Sequence, residues 1–521
     1  MSTFTVNVIG AGLAGLSASL ELSRNNIHVN LVSAQPSERA QSVMAEGGIN
    51  AAMNTMGDDD TTREHFDDTL KGGAFIGEKE SIEGMTENAP LIVEELIKLG
   101  VPFNNENGKI SLRYFGGQKK RRTAFSRSST GKLIMSAMID AVRQYEARGL
   151  VRRFPHHIFE GLDIRDNGCS AVLIRDNYSL KALRLEGPVI LATGGMNSLF
   201  PGLTTGTTVN TGDVTSYLYS IGLPLSNLEF IQFHPTTAKI EGKRCLISEA
   251  ARGEGGRLMI LRDGKPWYFM EEKYPELGNL MPRDVTSREI VMNSEDGYAF
   301  IDMTGLPSDT WKNKLSDMRE QMISLLGSDP VKDYIRISPG IHYFMGGIYV
   351  DKNHKTTVDG LYAAGECACR YHGGNRLGGN SMLGALYGGK VAASSIEGTY
   401  SAATGNRIEE IDIPYEYTDF VAPSCVTDPL VSAVGIIRDG QTMEASLRTL
   451  NETDPSSFTE ADRRRLLLSR AILTSAIMRK ESRGAHYRTD YPNKDDVNFK
   501  AKSVITYTDG RHELKYEGDE S

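Results

Sequence analysis

Several short, glycine-rich segments of this sequence carry arginine, histidine, serine and glutamate residues whose side chains could do chemistry. The set is His234, Ser248, Glu249, Arg252, Arg283, His342 and Arg376. Taken singly, each has an ordinary structural explanation, but their joint occurrence favours a binding site. Two arginines and two histidines could hold both carboxylates of a small dicarboxylate through charge-assisted hydrogen bonds, and Ser248 could add a hydroxyl donor.

Glu249, Arg252 and Arg283 also suggest a path for a proton. Arginine is an unusual acid because its ordinary pKa is high. A guanidinium that contacts a substrate can still give up a proton transiently if a neighbouring carboxylate relay restores it. The sequence therefore predicts proton transfer beside a bound dicarboxylate.

A glycine turn near the N-terminus indicates the cofactor. Residues 10–15 read GAGLAG and follow the apolar run 4–9. A strand, a glycine turn and a helix in this order place backbone N–H groups against a pyrophosphate. Nicotinamide enzymes carry Asp or Glu at the end of the second strand, where this chain has Ser33. Residues 361–366 form a strand-like run that ends in Gly-Glu, so Glu366 could accept hydrogen bonds from a ribose. The glycine turn and this distant run together indicate one dinucleotide held from both ends of the chain. Because the nicotinamide pattern is absent, we predict a flavin dinucleotide.

Strands and helices alternate along the two segments that are predicted to bind the cofactor, and we call this alternation the cofactor pattern. That pattern occupies residues 1–225 and resumes at 341–400, whereas 226–340 departs from it and indicates an inserted capping domain. Residues 401–495 are charged and helical. Residues 496–521 are polar, and we predict a tail with an extended strand or hairpin and a loose acidic end.

Composition excludes several classes of protein. The 521 residues carry a formal charge of −9, which argues against nucleic acid as a partner. No uncharged apolar stretch approaches the ~18 residues of a membrane-spanning helix. No secretory signal is visible and the five cysteines are scattered, so we expect a cytoplasmic protein, either free or peripheral to a membrane through a partner subunit. Cys367 and Cys369 have no second pair near them, and we predict no metal site.

At this point the motifs resemble the flavoprotein subunits of the succinate dehydrogenase and fumarate reductase family, whose near relative is L-aspartate oxidase. The resemblance spans roughly residues 4–490. It rests on the order of eight segments: 42–50, 232–236, 248–256, 282–284, 342–347, 365–366, 375–381 and 481–492.

The resemblance implies a Rossmann-like FAD-binding domain with an inserted α+β capping domain and a C-terminal helical domain. It implies that the dicarboxylate is bound by Phe115, His234, Ser248, His342 and Arg376. Arg283 would donate the proton, or accept it in reverse, with Glu249 and Arg252 as its relay. The implied FAD-binding residues are Gly10, Gly12, Ala14, Gly15, Ser33, Ser42, Ala45, Gly47, Gly48, Ala192, Thr193, Gly194, Asp213, Glu366, Asn380, Ser381 and Leu383.

Two departures from the family pattern bear on the reaction. Members that bind FAD covalently carry histidine where this chain has Gln41. Glutamine cannot form that bond, so we predict non-covalent FAD, which favours fumarate reduction or an oxidase over succinate oxidation. Ser248 stands where the family usually has threonine, and the missing methyl would make room for a close analogue such as methylfumarate.

Alternatives remain open on the sequence. L-aspartate oxidase also lacks the flavin bond, although residues 113–123 and 481–486 look more like the reductase. A reductase of another small unsaturated dicarboxylate is equally compatible with the residue set. The chain has no iron–sulfur cysteine set, so electrons would arrive from a partner subunit with iron–sulfur clusters, a soluble flavin or a thiol-linked donor.

Overall fold

A five-stranded parallel sheet forms the centre of the molecule in the computed structural model, which describes residues 4–399 and 407–518. Its strands, in order across the sheet, are Leu361–Ala363, Val189–Leu191, Thr5–Ile9, His28–Ser33 and Val151–Pro155. Parallel sheets are covered on both faces, which requires nearly continuous apolar strands. Every residue of Thr5–Ile9 is buried. The sheet confirms the predicted α/β class.

The glycine turn joins Thr5–Ile9 to the helix Leu13–Arg24. Gly10 has φ 114°, and a Cβ there would lie 2.1 Å from the carbonyl oxygen of Ala192. A Cβ on Gly15 would lie 1.8 Å from the carbonyl oxygen of Gly10. Glycine is required at both positions because backbone approaches backbone.

We expect Gly15→Ala to lower the free energy of unfolding by about 3 kcal/mol, since the added methyl overlaps a backbone carbonyl that cannot rotate away. Thermal or urea unfolding measures this effect. The matched control is Gly398→Ala in the exposed part of another helix, where an added Cβ meets nothing within 4 Å. There the substitution should raise stability by up to about 1 kcal/mol, and an equal response at both sites would contradict the packing explanation.

The segment predicted to form a cap contributes most of a six-stranded antiparallel sheet. Its strands, in order, are Lys243–Leu246, Ile231–Ile240, Ile335–Phe344, Ala299–Asp302, Arg257–Arg262 and Lys265–Trp267. The sheet has its own apolar core, which includes Ile247, Leu258 and Trp311. Its two longest strands, Ile231–Ile240 and Ile335–Phe344, carry His234 and His342.

The C-terminal part is helical up to Met478 and then returns to a sheet. Helices Ser424–Ala433, Gly440–Glu452 and Glu460–Met478 pack against one another. The segment predicted as a polar tail contains the hairpin Lys502–Thr508 and Arg511–Glu517, which pairs with a strand near residue 225. The predicted boundary at 400/401 and the predicted loose end at 519–521 lie outside the described residues.

The remaining elements complete the layers around these sheets. The other α-helices are Thr62–Gly72, Lys79–Lys98, Thr130–Ala147, Asp213–Ser220, Ala250–Gly253, Phe269–Lys273, Arg283–Asn293, Ser308–Asn313, Ser316–Leu326 and Asn380–Thr399. The other strands are Ile49–Asn50, Asn105–Glu106, Lys109–Ile110, Leu112–Arg113, Thr123–Ala124, His157–Arg165, Gly168–Asp176, Ala182–Glu186, Leu225–Ser226, Gly347–Tyr349, Ala368–Cys369 and Ile408–Ile411. No helix within the described ranges is long and apolar enough to cross a membrane.

Candidate active site

A cavity of about 780 Å³ begins at the glycine turn and ends beneath the cap sheet. It is lined by both halves of the cofactor pattern and by the cap. Most of the residues predicted to bind FAD lie on its wall: Gly10, Gly12, Ala14, Ser33, Ser42, Ala45, Gly47, Gly48, Ala192, Thr193, Gly194, Asp213, Glu366 and Ser381.

Three further residues predicted to bind FAD lie behind this wall, and their contact with the cofactor stays a prediction. Gly15 packs against Gly10 within the turn. Leu383 is fully buried in the apolar core. Asn380 is also fully buried: its amide donates to Thr69 Oγ1 at 3.0 Å, and its carbonyl oxygen accepts from Asn50 Nδ2 at 2.8 Å. All three support the cavity from behind.

The glycine-turn end of the cavity fits a pyrophosphate. Helix Leu13–Arg24 begins at the wall. Its N-cap residue is Gly12, which has no side chain to cap the first turn. Ser42 Oγ accepts from the Leu13 N–H at 3.2 Å. A helix N-terminus with free N–H groups and a positive dipole end attracts phosphate. Further along, Glu366 accepts from the Phe344 N–H at 3.1 Å, and burial raises the pKa of this carboxyl to about 7.

The two histidines meet at the cap end of the cavity. His234 and His342 lie on neighbouring antiparallel strands, where His234 pairs with Gly340, and their ring centroids are 5.1 Å apart. His342 Nδ1 is 2.8 Å from Thr205 Oγ1. Burial and the nearby charge of Arg283 lower the pKa of both rings well below the ordinary value. Both histidines are therefore neutral hydrogen-bonding groups at neutral pH.

Glu249 lies between two arginines of the cap. Its Oε2 accepts from Arg283 Nε at 2.9 Å and Nη2 at 2.7 Å. Its Oε1 lies 3.2 Å from Arg252 Nη2 and accepts from the Gly116 N–H at 2.8 Å. Burial alone would raise the pKa of Glu249, but the charges of Arg283 and Arg252 lower it to about 2. Glu249 is thus hydrogen-bonded to Arg283 on one side and forms an ion pair with Arg252 on the other.

Only one end of this row of three side chains opens into the cavity. Arg283 and Glu249 line the cavity, whereas Arg252 lies behind them and donates to the Asn279 carbonyl at 2.7 Å. Arg283 is the first residue of helix Arg283–Asn293, so its position is set by the Met281–Pro282 turn before it. A proton could therefore pass from Arg252 through Glu249 to the group that faces the cavity.

Arg376 brings a second guanidinium to the cavity from the Asn375–Gly379 loop. It stacks 4.5 Å over the ring of Tyr343 and donates to the Leu377 carbonyl at 3.2 Å. Its Nε has no hydrogen-bond partner among the described residues. Burial and the charge of Arg283 lower its pKa to about 9, which leaves it charged at neutral pH. Arg376 thus has donors available for an anion.

Phe115 and Ser248 lie at the same end of the cavity. They pack against Gly47, where a side chain would overlap Phe115. A Cβ on Gly47 would lie 2.5 Å from Phe115 Cζ and 3.4 Å from Ser248 Oγ. A Cβ on Gly378 would lie 2.3 Å from Glu249 Oε2. All five residues predicted to bind the substrate therefore line one end of the cavity, together with Arg283 and Glu249.

Gln232 connects the guanidinium of Arg283 with the backbone of Arg376, and the sequence did not predict a role for it. Its Oε1 accepts from Arg283 Nη1 at 3.1 Å, and its Nε2 donates to the Arg376 carbonyl at 2.7 Å. Its role could have been predicted from its position two residues before His234 on the same strand, because residues i and i+2 of a strand point to the same face.

The fold and the site together define a class of protein, a flavin-dependent oxidoreductase. A family described as "FAD binding domain" matches residues 5–382, and one described as "Fumarate reductase flavoprotein C-term" matches residues 457–519. The chain belongs to the flavoprotein-subunit family of succinate dehydrogenases and fumarate reductases, and its cofactor is FAD.

Known relatives cover nearly the whole chain. It is 36% identical to the succinate dehydrogenase flavoprotein subunit of Bacillus subtilis, over 100% of this chain and 96% of that protein. It is 34% identical to a fumarate reductase flavoprotein subunit of Mycobacterium tuberculosis, over 96% and 94%. A structure of E. coli quinol fumarate reductase matches with a TM-score of 0.85 and 26% identity, over 100% and 98%. These matches confirm the family and fold that the motifs predicted.

Proposed function

We propose that this protein reduces fumarate to succinate. The observation that carries the proposal is the joint placement of neutral His234 and His342, charged Arg376 and the Arg283–Glu249 pair at one end of the FAD cavity. Four conformationally fixed donors suit the two carboxylates of a short dianion. The proposal also rests on the relatives, of which one is named a succinate dehydrogenase and another a fumarate reductase.

Substrate binding falls to the side chains around the cavity end. Arg376 would pair with one carboxylate through its free Nε edge, and the two histidines and Ser248 would hold the other. Phe115 would pack against the carbon chain and, with the cap sheet, exclude water. Fixing both ends of the substrate holds the central double bond in one orientation, which converts binding into positioning.

Reduction of the double bond needs one hydride and one proton. The residues that line the cavity would hold FAD, and the reduced cofactor would supply the hydride to one alkene carbon when bound. Arg283 would give its proton to the other carbon, and the neutral guanidine left behind would recover a proton from Arg252 by way of Glu249. Solvent would then return one proton to Arg252 for each turnover. The pKa of about 2 keeps Glu249 ionised, so it stabilises the charged form of Arg283 before and after each turnover.

The direction and the flavin linkage follow from Gln41. Its Oε1 accepts from the Thr207 N–H at 2.8 Å, and the side chain lines the cavity. Glutamine offers no nucleophilic ring nitrogen for a covalent flavin bond, and we propose that FAD is held without one. The resemblance connects the missing bond with fumarate reduction.

We expect acid precipitation to separate the flavin from the protein completely. The test is to precipitate the yellow enzyme with trichloroacetic acid and to measure flavin absorbance in the supernatant and fluorescence of the denatured polypeptide on a gel. Flavin that stays on the washed polypeptide would contradict the proposed linkage. As a control, free FAD is mixed with an unrelated protein and precipitated in the same way. The flavin recovered in that supernatant is the amount expected when no covalent bond exists.

Electrons would reach this flavin from another polypeptide. Within residues 4–399 and 407–518, no group of three or more His, Cys, Asp or Glu side chains is placed to hold a metal ion. The relatives are named as subunits. We therefore propose that a partner subunit with iron–sulfur clusters delivers the electrons.

The test of the proposed function compares three reactions of the purified protein: reduced enzyme with fumarate in the absence of oxygen, reduced enzyme with oxygen, and oxidised enzyme with aspartate in the absence of oxygen. The enzyme is reduced chemically, and the return of flavin absorbance near about 450 nm is followed after addition of fumarate. We expect fumarate to reoxidise the flavin far faster than oxygen does. Slow reoxidation by fumarate together with bleaching of the oxidised enzyme by aspartate would instead establish an L-aspartate oxidase.

A further inference from the structure

A second cavity, of about 470 Å³, lies where three parts of the chain meet. Its wall combines residues of the FAD-binding part at 68–74 and 117–119, of the cap at 277–288, and of the C-terminal part at 482–494. This volume is large enough for a small organic anion. None of the residues predicted to bind FAD or the dicarboxylate, or to transfer the proton, is among the described residues that line it.

The wall of this cavity is positively charged although the whole chain has a formal charge of −9. Lys71, Arg288 and Lys494 line it, and none of them forms an ion pair within residues 4–399 and 407–518. Arg288 stacks 4.9 Å over the ring of Tyr487, which holds its head at the wall. Uncompensated cations on the walls of a concave surface create a field that attracts anions.

The other charged wall residues are largely neutralised. Arg483 donates to Glu481 Oε2 at 2.9 Å and to Asp496 Oδ1 at 2.6 Å. The carboxylate of Asp68 lies 2.9 Å from Arg122. Lys119 lies 3.8 Å from Glu276. Burial raises the pKa of Asp284, while the charges of Arg288 and Lys494 act on it in the opposite direction. Lys71, Arg288 and Lys494 therefore face the single carboxyl of Asp284, which leaves an excess of positive charge on the wall.

Leu377 packs against two glycines of this cavity and is the chain neighbour of Arg376 at the substrate end of the FAD cavity. A Cβ on Gly72 would lie 2.5 Å from Leu377 Cδ2, and a Cβ on Gly117 would lie 2.8 Å from the same atom. Both glycines line the second cavity, whereas Arg376, the neighbour of Leu377, lines the first. Pro282 lines the second cavity and the next residue, Arg283, lines the first.

We propose that the second cavity is an outer binding site that collects the dicarboxylate before it enters the active site. The inference rests on the proposed function, because it takes the substrate to be a small dianion. Lys71, Arg288 and Lys494 bind the dianion loosely through solvated charge-assisted contacts. A locally raised concentration next to Leu377 and Pro282, whose chain neighbours line the FAD cavity, raises the rate of productive encounter without altering the chemical step.

The test removes two of these cations and measures a single turnover, so that no electron donor takes part. The Lys71→Gln/Lys494→Gln double variant is reduced chemically without oxygen and mixed with fumarate in a stopped-flow instrument. At about 10 mM salt, where charges act over about 30 Å, we expect its second-order rate constant for flavin reoxidation to be about fivefold below that of the wild type. At about 1 M salt the two rate constants should coincide, and the rate at saturating fumarate should be equal throughout.

A matched pair, Lys98→Gln/Lys332→Gln, removes the same net charge from exposed lysines that line neither cavity. This control should stay close to the wild type at both salt concentrations. An unchanged rate constant in the cavity variant, or an equal decrease in the control pair, would overturn the outer site while leaving fumarate reduction intact. If fumarate fails to reoxidise even the wild type, the proposed function and the outer site are both wrong.

Discussion

Replacing Arg283 by lysine or alanine is expected to lower the rate of fumarate reduction by about 10³-fold, while FAD stays bound. Alanine removes the proton donor. Lysine keeps a positive charge but cannot reproduce the two hydrogen bonds to Glu249 or the third to Gln232. The loss should appear in the rate at saturating fumarate, because Arg283 acts in the step that forms the second C–H bond.

The measurement is single-turnover reoxidation of the reduced variant, with bound FAD quantified from its absorbance. Arg319→Lys is the matched control, because Arg319 is an arginine of the cap that is paired with Asp329 and 40% exposed. We expect near wild-type rates from the control. A variant at Arg283 that retains full activity would rule out this residue as the proton donor.

Glu249→Gln is expected to give the second largest effect, and it should act on both activity and stability. The amide cannot relay a proton between Arg252 and Arg283, and we expect the rate to fall by about 10²- to 10³-fold. It also leaves two buried guanidiniums without their carboxylate, which should lower the free energy of unfolding by about 3–5 kcal/mol. Glu271→Gln, at a half-exposed ion pair of the cap with Arg257, should have little effect on either quantity.

The pH dependence separates the role of Glu249 from a general loss of packing. Its pKa is about 2 in the folded protein and about 4.5 in the unfolded chain. A carboxyl with a depressed folded pKa stabilises the fold fully above its unfolded pKa, and this stability is lost as pH falls through the folded pKa. The difference in unfolding free energy between wild type and Glu249→Gln should therefore shrink as pH falls from about 4.5 towards 2. A difference independent of pH in that window would indicate packing alone.

The parts of the fold predicted from sequence were those with a local cause. Gly10 and Gly15 must be glycine because backbone meets backbone in the turn, and the same spacing identifies the turn in the sequence. The strands of the terminal hairpin, Lys502–Thr508 and Arg511–Glu517, were also expected as an extended segment. Their insertion into a sheet beside Leu225–Ser226 was not, because that pairing joins residues far apart in the chain.

The candidate site shows the same division. Glycine-flanked arginine and histidine residues identified the cavity end, since charged groups are costly to bury without a ligand. The side chain of Asn380 bonds Thr69 and Asn50, and the sequence did not predict these partners because a motif places a residue near a cofactor without fixing which way its side chain points. Gln232 and Tyr343 were missed because their roles depend on Arg283 and Arg376, which reach them only in the folded protein.

The most direct test of the central claim is the product of one turnover. A known amount of chemically reduced enzyme, freed of excess reductant, is mixed with excess fumarate without oxygen, and succinate is quantified after the flavin has reoxidised. We expect the wild type to form one succinate for each FAD that is reoxidised, and we expect Arg283→Ala not to do so. Flavin reoxidation without succinate, or succinate formed equally well by Arg283→Ala, would contradict it.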